Sequence, residues 1–189
     1  LVFKNTNQKI QVNWKLAGAH QASNAAAAAA AAMLYGASPE IIAKSLENCS
    51  LPGMRARITV RNEVTWLNDA YNANPDSMKA SLEWLKEFAD EKNTVIVAGD
   101  MRELGDSAAK AHYDTLVYAR KLFPSARIFA VGSEMCTAYS KLTAMEQINL
   151  SVYPDSKSAV EPVRNAVKAG DLVFLKASRG TKLEIIEPQ

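Results

Sequence analysis

Residues 68–78 read NDAYNANPDSM and place two acids, three amides, a tyrosine and a proline between an apolar run and a helix-patterned segment. The run before them, 64–67, has the β-branched and aromatic content of a strand, and 77–88 carries apolar residues at helical spacing. A strand-to-helix turn of this kind is where α/β sheets bind ligands, because helix N-terminal amides and strand-end side chains converge there. The turn is therefore read as holding a nucleotide. Two other stretches bring charge to strand ends, GDMRELG at 99–105 and KASRGTKLE at 176–184. No catalytic motif is complete: G-x-x-x-x-G-K-[ST], G-x-G-x-x-G, H-E-x-x-H and G-x-S-x-G are absent, and Ser178 has no evident His and acid partners. By spacing alone this is a ligand-binding module.

The elements that must position these residues emerge from the chain in order. Residues 9–16 alternate Ile10, Val12, Trp14 and Leu16 with polar neighbours, the period-two pattern of a half-buried strand, after a turn at Asn5-Thr6-Asn7. A helix capped at Ser23 or a neighbour then runs through eight consecutive alanines, 25–32, to about Gly36; small side chains let such a helix pack close to a sheet. Ser38-Pro39-Glu40 opens a second helix over 39–48. Ser50-Leu51-Pro52-Gly53 ends it and marks a domain boundary. Beyond it the pattern predicts strands at 54–61 and 64–70 joined through Asn62-Glu63, then a helix over 76–88. Strands at 94–98, 127–131, 148–153 and 171–176 follow, separated by helices over 107–122, 133–144 and 158–168, with a short helix closing the chain.

Near-continuous apolar strands between helices predict a doubly wound, Rossmann-like α/β fold with a mostly parallel sheet. The polar segments 69–76, 99–105, 132–133, 154–156 and 177–180 all follow strands, which puts them on the carboxyl edge, the ligand edge of such sheets.

Composition narrows the function classes. A 189-residue chain with 48% hydrophobic residues can bury a real core. Its 22 Lys and Arg against 20 Asp and Glu are scattered, giving no electrostatic case for nucleic acid or an anionic membrane. Cys49 and Cys136 lie far apart without metal-ligand spacing, so reduced thiols are expected. No segment reaches about 18 apolar residues without a charge, and Lys4, Asn5, Asn7 and Gln8 interrupt the first apolar stretch, unlike a signal peptide.

The series GAHQASNAAAAAA (18–30), PGMRARI (52–58), NDAYNANPDSM, GDMRELG, His112 and KASRGTKLE resembles the Mur ligases over essentially the whole chain. GDMRELG and DAYNANPDSM are most similar to the member that adds D-alanyl-D-alanine to UDP-N-acetylmuramoyl-tripeptide. The resemblance implies that 1–53 is the helical end of a truncated central ATPase domain and 54–189 the C-terminal domain. The family's phosphate loop, metal site and carbamylated lysine match nothing here, and Leu1 falls inside what reads as a hairpin, so a C-terminal fragment is expected. It implies an ATP- and Mg²⁺-dependent amide ligase that works through an acyl phosphate in peptidoglycan precursor synthesis, cytoplasmic and monomeric. Mg²⁺ would be held mainly outside this chain, and the fragment alone would be inactive. The implied partners are the two substrates, with neither nucleic acid nor membrane insertion.

Carried over residue by residue, His20 and Asn24 fall on the family's H-N-x-x-N motif, in which the second asparagine reads adenine; Gln21 stands where asparagine is usual. Arg55 and Asp69 resemble the residues that hold the ATP ribose, with Tyr71 and Asn72 continuing that site. Asn74, Asp100, Arg102, Glu103, Lys176, Ser178 and Arg179 would face the acceptor dipeptide, whose carboxylate an arginine can hold by two parallel hydrogen bonds. Structural readings stand beside these: His20 opening the alanine helix, Asp69 as a strand-end cap, Asn74 as the N-cap before Pro75 and His112 as a packed helix histidine. Two other functions stay open. One is a noncatalytic nucleotide-binding domain of the same fold; the other is a related enzyme, the diaminopimelate- or lysine-adding Mur ligase or folylpolyglutamate synthetase, against which GDMRELG argues.

Overall fold

In the computed structural model, which describes residues 1–3, 8–14, 16, 18–50 and 53–188, the chain divides into two units, Leu1–Pro52 and Gly53–Gln189. In the first unit, strands β1 (Val2–Phe3) and β2 (Gln8–Lys9) pair antiparallel, followed by helices α1 (Ala19–Leu34) and α2 (Pro39–Glu47). The strand expected over 9–16 is corrected: only Lys9 of the described residues in that range is in a ladder. Alternation alone provides no neighbour to pair with. The turn expected at 5–7 lies outside the described residues, as do Leu51 and Pro52 of the linker. Helix α1 begins at Ala19 behind Gly18 (φ 93) rather than at Ser23. Its Ala25 and Ala29, one turn apart, are buried, and Ala29 and Ala32 pack in a cluster with Ile42 and Leu46 of α2. Helix α2 starts as expected, with the Ser38 hydroxyl accepting from the Ile41 amide and Pro39 in the first turn.

The second unit is a six-stranded sheet in the order β3-β4-β8-β5-β6-β7. Strands β3 (Arg57–Arg61) and β4 (Val64–Asn68) form an antiparallel hairpin; β5 (Thr94–Gly99), β6 (Arg127–Val131), β7 (Leu150–Tyr153) and β8 (Leu172–Lys176) continue the sheet from β4 in parallel. Every residue of β5 is buried, the condition that makes a parallel strand read as an unbroken apolar run. Alternate residues serve opposite faces. Ile96, Ala98, Ile128 and Phe174 pack under α3 (Pro75–Lys86), α4 (Ala108–Leu122) and α5 (Ser133–Tyr139). Val95, Val97, Val173 and Leu175 pack under α6 (Ser156–Ala166) and the C-terminal residues Leu183 and Ile186.

Edge strand β3 is exposed, and its Arg57 and Arg61 guard against pairing with other strands. Glu187 near the C-terminus pins it down, accepting from Arg57 at 2.6 Å, Thr59 at 2.5 Å and Asn68 at 3.0 Å.

Two helix boundaries differ from expectation for local reasons. Helix α5 stops at Tyr139 instead of reaching 144, because Thr143 and Glu146 bond reciprocally and the Gln147 amide donates to the Tyr139 and Leu142 carbonyls. The closing helix is instead two single 3₁₀ turns, Arg179–Thr181 and Leu183–Ile185, separated by Lys182 in a left-handed conformation (φ 57).

Asn62 (φ 50) and Glu63 (φ 62) form a two-residue hairpin loop of the type that requires positive φ at both positions. Glutamate is strained there, and the bond its carbonyl accepts from the Gly170 amide needs no side chain. Glu63→Gly should therefore stabilise the protein by about 0.5–1 kcal/mol after the entropy of glycine is counted, raising the melting temperature by roughly 1–4 °C. A thermal melt checks this, and an unchanged or lowered midpoint would contradict the strain.

Candidate functional site

Strands β4 and β5 are followed by helices on one face of the sheet, whereas β8, lying between them, leads to the opposite face. A crevice opens where neighbouring strands diverge in this way. Three loops border it: 69–74 after β4, 100–105 after β5 and 177–181 after β8.

Ser178 stitches the three together. Its hydroxyl accepts from the Arg102 amide at 2.9 Å and donates to the Ala73 carbonyl at 3.3 Å, while its own amide donates to the Asp100 carbonyl at 3.0 Å. It is 5% exposed. Asp100 turns its carboxylate onto the first turn of α5, accepting from the amides of Met135 (2.9 Å) and Glu134 (3.3 Å); Gly132 is required beneath it, since a Cβ there would meet the carboxylate at 2.2 Å. Buried His112 holds the same loop from α4. Its Nε2 accepts from the Met101 amide at 2.8 Å, which leaves Nδ1 as the donor to the Ala108 carbonyl at 2.7 Å and assigns the neutral tautomer.

At the β4 end, Asp69 accepts from the Ala56 amide (3.2 Å), the Ser81 hydroxyl (3.1 Å) and Lys176 Nζ (2.6 Å). Lys176 also donates to the Asn72 carbonyl at 3.3 Å. Asn74 caps α3, its side chain accepting from Ser77 while Ser77 accepts from the Asn74 amide. Tyr71 meets two guanidiniums, with Arg55 4.2 Å and Arg179 5.6 Å from its ring centroid. Arg102 lies against Gly180, donating weakly to its carbonyl at 3.4 Å.

The structure thus brings Arg55, Asp69, Tyr71, Asn72, Lys176 and Arg179 into one cluster, with Asp100, Arg102 and Ser178 adjoining it. Glu103 (φ 64) is exposed on the same loop as Arg102. Asn24 is exposed on α1 in the first unit, and the His20 side chain lies outside the described residues. The residues missed from sequence are Ser81 and the Ala56 amide. Ser81 had one available signal, a polar residue on the face of α3 that carries Met78, Leu82 and Leu85.

Arg55, Arg102 and Arg179 are exposed, and among the described residues none pairs with a carboxylate, unlike Arg57 with Glu187 and Arg127 with Asp171. Three unpaired guanidiniums around one crevice, two on an aromatic ring, suit an anion carried by a planar or polar body. Burial, followed by the charge of Asp100, pushes the Cys136 thiol up, away from nucleophilic character. Among the described residues no group of three His, Cys, Asp or Glu side chains could hold a metal ion. No helix among them is long and apolar enough to cross a membrane.

Comparison with known proteins identifies the family. Residues 54–179 match the model of the Mur ligase, glutamate ligase domain. The UDP-N-acetylmuramoyl-tripeptide–D-alanyl-D-alanine ligase of Bacillus subtilis is 35% identical over 89% of this chain, and that of Treponema pallidum 36% over 92%. The chain spans 37% of the length of each. A crystal structure of MurF from Acinetobacter baumannii superposes with a TM-score of 0.77 at 31% identity, covering 93% of this chain and 38% of that one. With the domain model matched from the first strand of the six-stranded sheet to the last, this chain belongs to the Mur ligase family.

Proposed function

We propose that the protein is the C-terminal part of an ATP-dependent amide ligase that joins D-alanyl-D-alanine to UDP-N-acetylmuramoyl-tripeptide in cytoplasmic peptidoglycan precursor synthesis. The observation that carries this reading is the set of exposed arginines without carboxylate partners among the described residues: Arg55 in the segment before β3, Arg102 on the loop after β5 and Arg179 on the loop after β8. The identity to ligases of that name supports it.

ATP, when bound, supplies the phosphoryl group that turns the tripeptide carboxylate into an acyl phosphate. The chain's own residues bind and orient. Arg55 and Asp69 take the ribose, and Tyr71 and Asn72 line the same end. The dipeptide carboxylate falls to Arg102 and Arg179, which leaves the dipeptide amine free to attack the acyl carbon as phosphate departs. Asp100, Glu103, Asn74 and Ser178 shape that side. No nucleophile from the protein is needed; proximity and exclusion of water do the work. The chain's share of the chemistry lies in its cations and amides.

In the full-length ligase, phosphate release should require both the tripeptide and D-alanyl-D-alanine; release with lysine or diaminopimelate in place of the dipeptide would favour a related ligase. Arg55→Ala should raise the KM for ATP by about tenfold, and Arg102→Ala the KM for the dipeptide by about the same factor, each corresponding to one lost charge-assisted contact. Steady-state phosphate release measures both. Residues 1–189 alone should form no acyl phosphate, since no phosphate loop occurs in the sequence, and its detection with purified chain would overturn the division of labour proposed here.

A further inference from the structure

Lys176 differs from the other cations of this edge in being only 3% exposed. Two of its three donors are spent inside the protein, on Asp69 at 2.6 Å and on the Asn72 carbonyl at 3.3 Å. At 3% exposure this ammonium offers a dipeptide carboxylate little access, and drawing it away from Asp69 would leave a second, poorly hydrated carboxylate without its countercharge. The electrostatics therefore favour an internal role.

What Lys176 holds is more informative than what it lacks. Asp69, fixed by Lys176, also binds the Ala56 amide at 3.2 Å. Ala56 is in the left-handed region (φ 51), which an alanine adopts only when its surroundings impose it. The preceding residue is Arg55, whose guanidinium lies over Tyr71. Tyr71 in turn belongs to the loop whose Asn72 carbonyl Lys176 also binds. One buried ammonium thus ties together the backbone on both sides of the Arg55–Tyr71 contact.

We infer that Lys176 is a positioning residue for the nucleotide side of the ligase, acting through Asp69 and the 69–72 loop to set Arg55 and Tyr71, and that it does not contact the acceptor dipeptide. This rests on the function proposed above.

The test compares Michaelis constants for ATP and for D-alanyl-D-alanine on the full-length ligase as wild type, Lys176→Met, Asp69→Asn and the double variant. Lys176→Met should raise the KM for ATP about tenfold and move that for the dipeptide less than about twofold, with the double variant no worse than its worse single parent. A raised dipeptide constant with an unchanged ATP constant, or effects that add in the double variant, would overturn the assignment. Ser81→Ala covers the case in which Lys176→Met does not fold: it deletes one bond to Asp69 from a residue 2% exposed. A selective rise in the KM for ATP supports the inference, and an unchanged one sinks it. Wild type that fails to ligate the dipeptide would refute the proposed function instead; calorimetric ATP affinity of the same variants then decides the Lys176 question separately.

Discussion

Lys176 and Asp69 face each other at 2.6 Å across the ends of two parallel strands, with side chains 4% and 16% exposed. A charge pair at that depth costs desolvation on both sides and adds little net stability, yet removing one member leaves the other stranded, at about 3–5 kcal/mol. Its consequence is geometric: the bonds that satisfy it are those that fix the loops. Ser81 reaches it from α3, the Ala56 amide from the segment before β3, and the Asn72 carbonyl from the loop after β4. The neighbouring strand ends are joined in the same manner by neutral groups, with Ser178 linking three loops and His112 holding the Met101 amide.

This separates two populations of polar residues at the carboxyl edge. Asp69, Asp100, His112, Lys176 and Ser178 turn inward and spend most of their hydrogen-bonding capacity on the protein itself, Asp69 keeping a 16% exposed carboxylate edge. Arg55, Arg102, Arg179 and Glu103 point outward, and the three arginines carry no carboxylate partner among the described residues. A rigid, internally satisfied frame presenting unpaired cations is suited to ligands that bring their own negative charge, because little has to reorganise on binding.

Much of the frame was legible. Buried β5 and β8 announced themselves as unbroken apolar runs, Asn74-Pro75 announced the start of α3, and Ser38-Pro39 that of α2, because caps and burial act over a few neighbouring residues. Where readings failed, a competing local bond or a missing partner decided. The alternating 9–16 segment found little to pair with, α5 lost its last turn to the Thr143–Glu146 interaction, and the final segment broke at left-handed Lys182.

By itself the sequence determined the α/β alternation, the carboxyl edge as the site of the polar loops, and the motifs that resemble the Mur ligases. These follow from periodicity and spacing, which are properties of contiguous residues. Which polar side chains turn inward was decided only by the tertiary structure. Lys176 and Asp69 are 107 residues apart, and Arg102 and Ser178 are 76. No local rule distinguishes a strand-end lysine that neutralises a buried acid from an arginine left free for a ligand; that depends on which strands become neighbours, and here β8 inserts between β4 and β5.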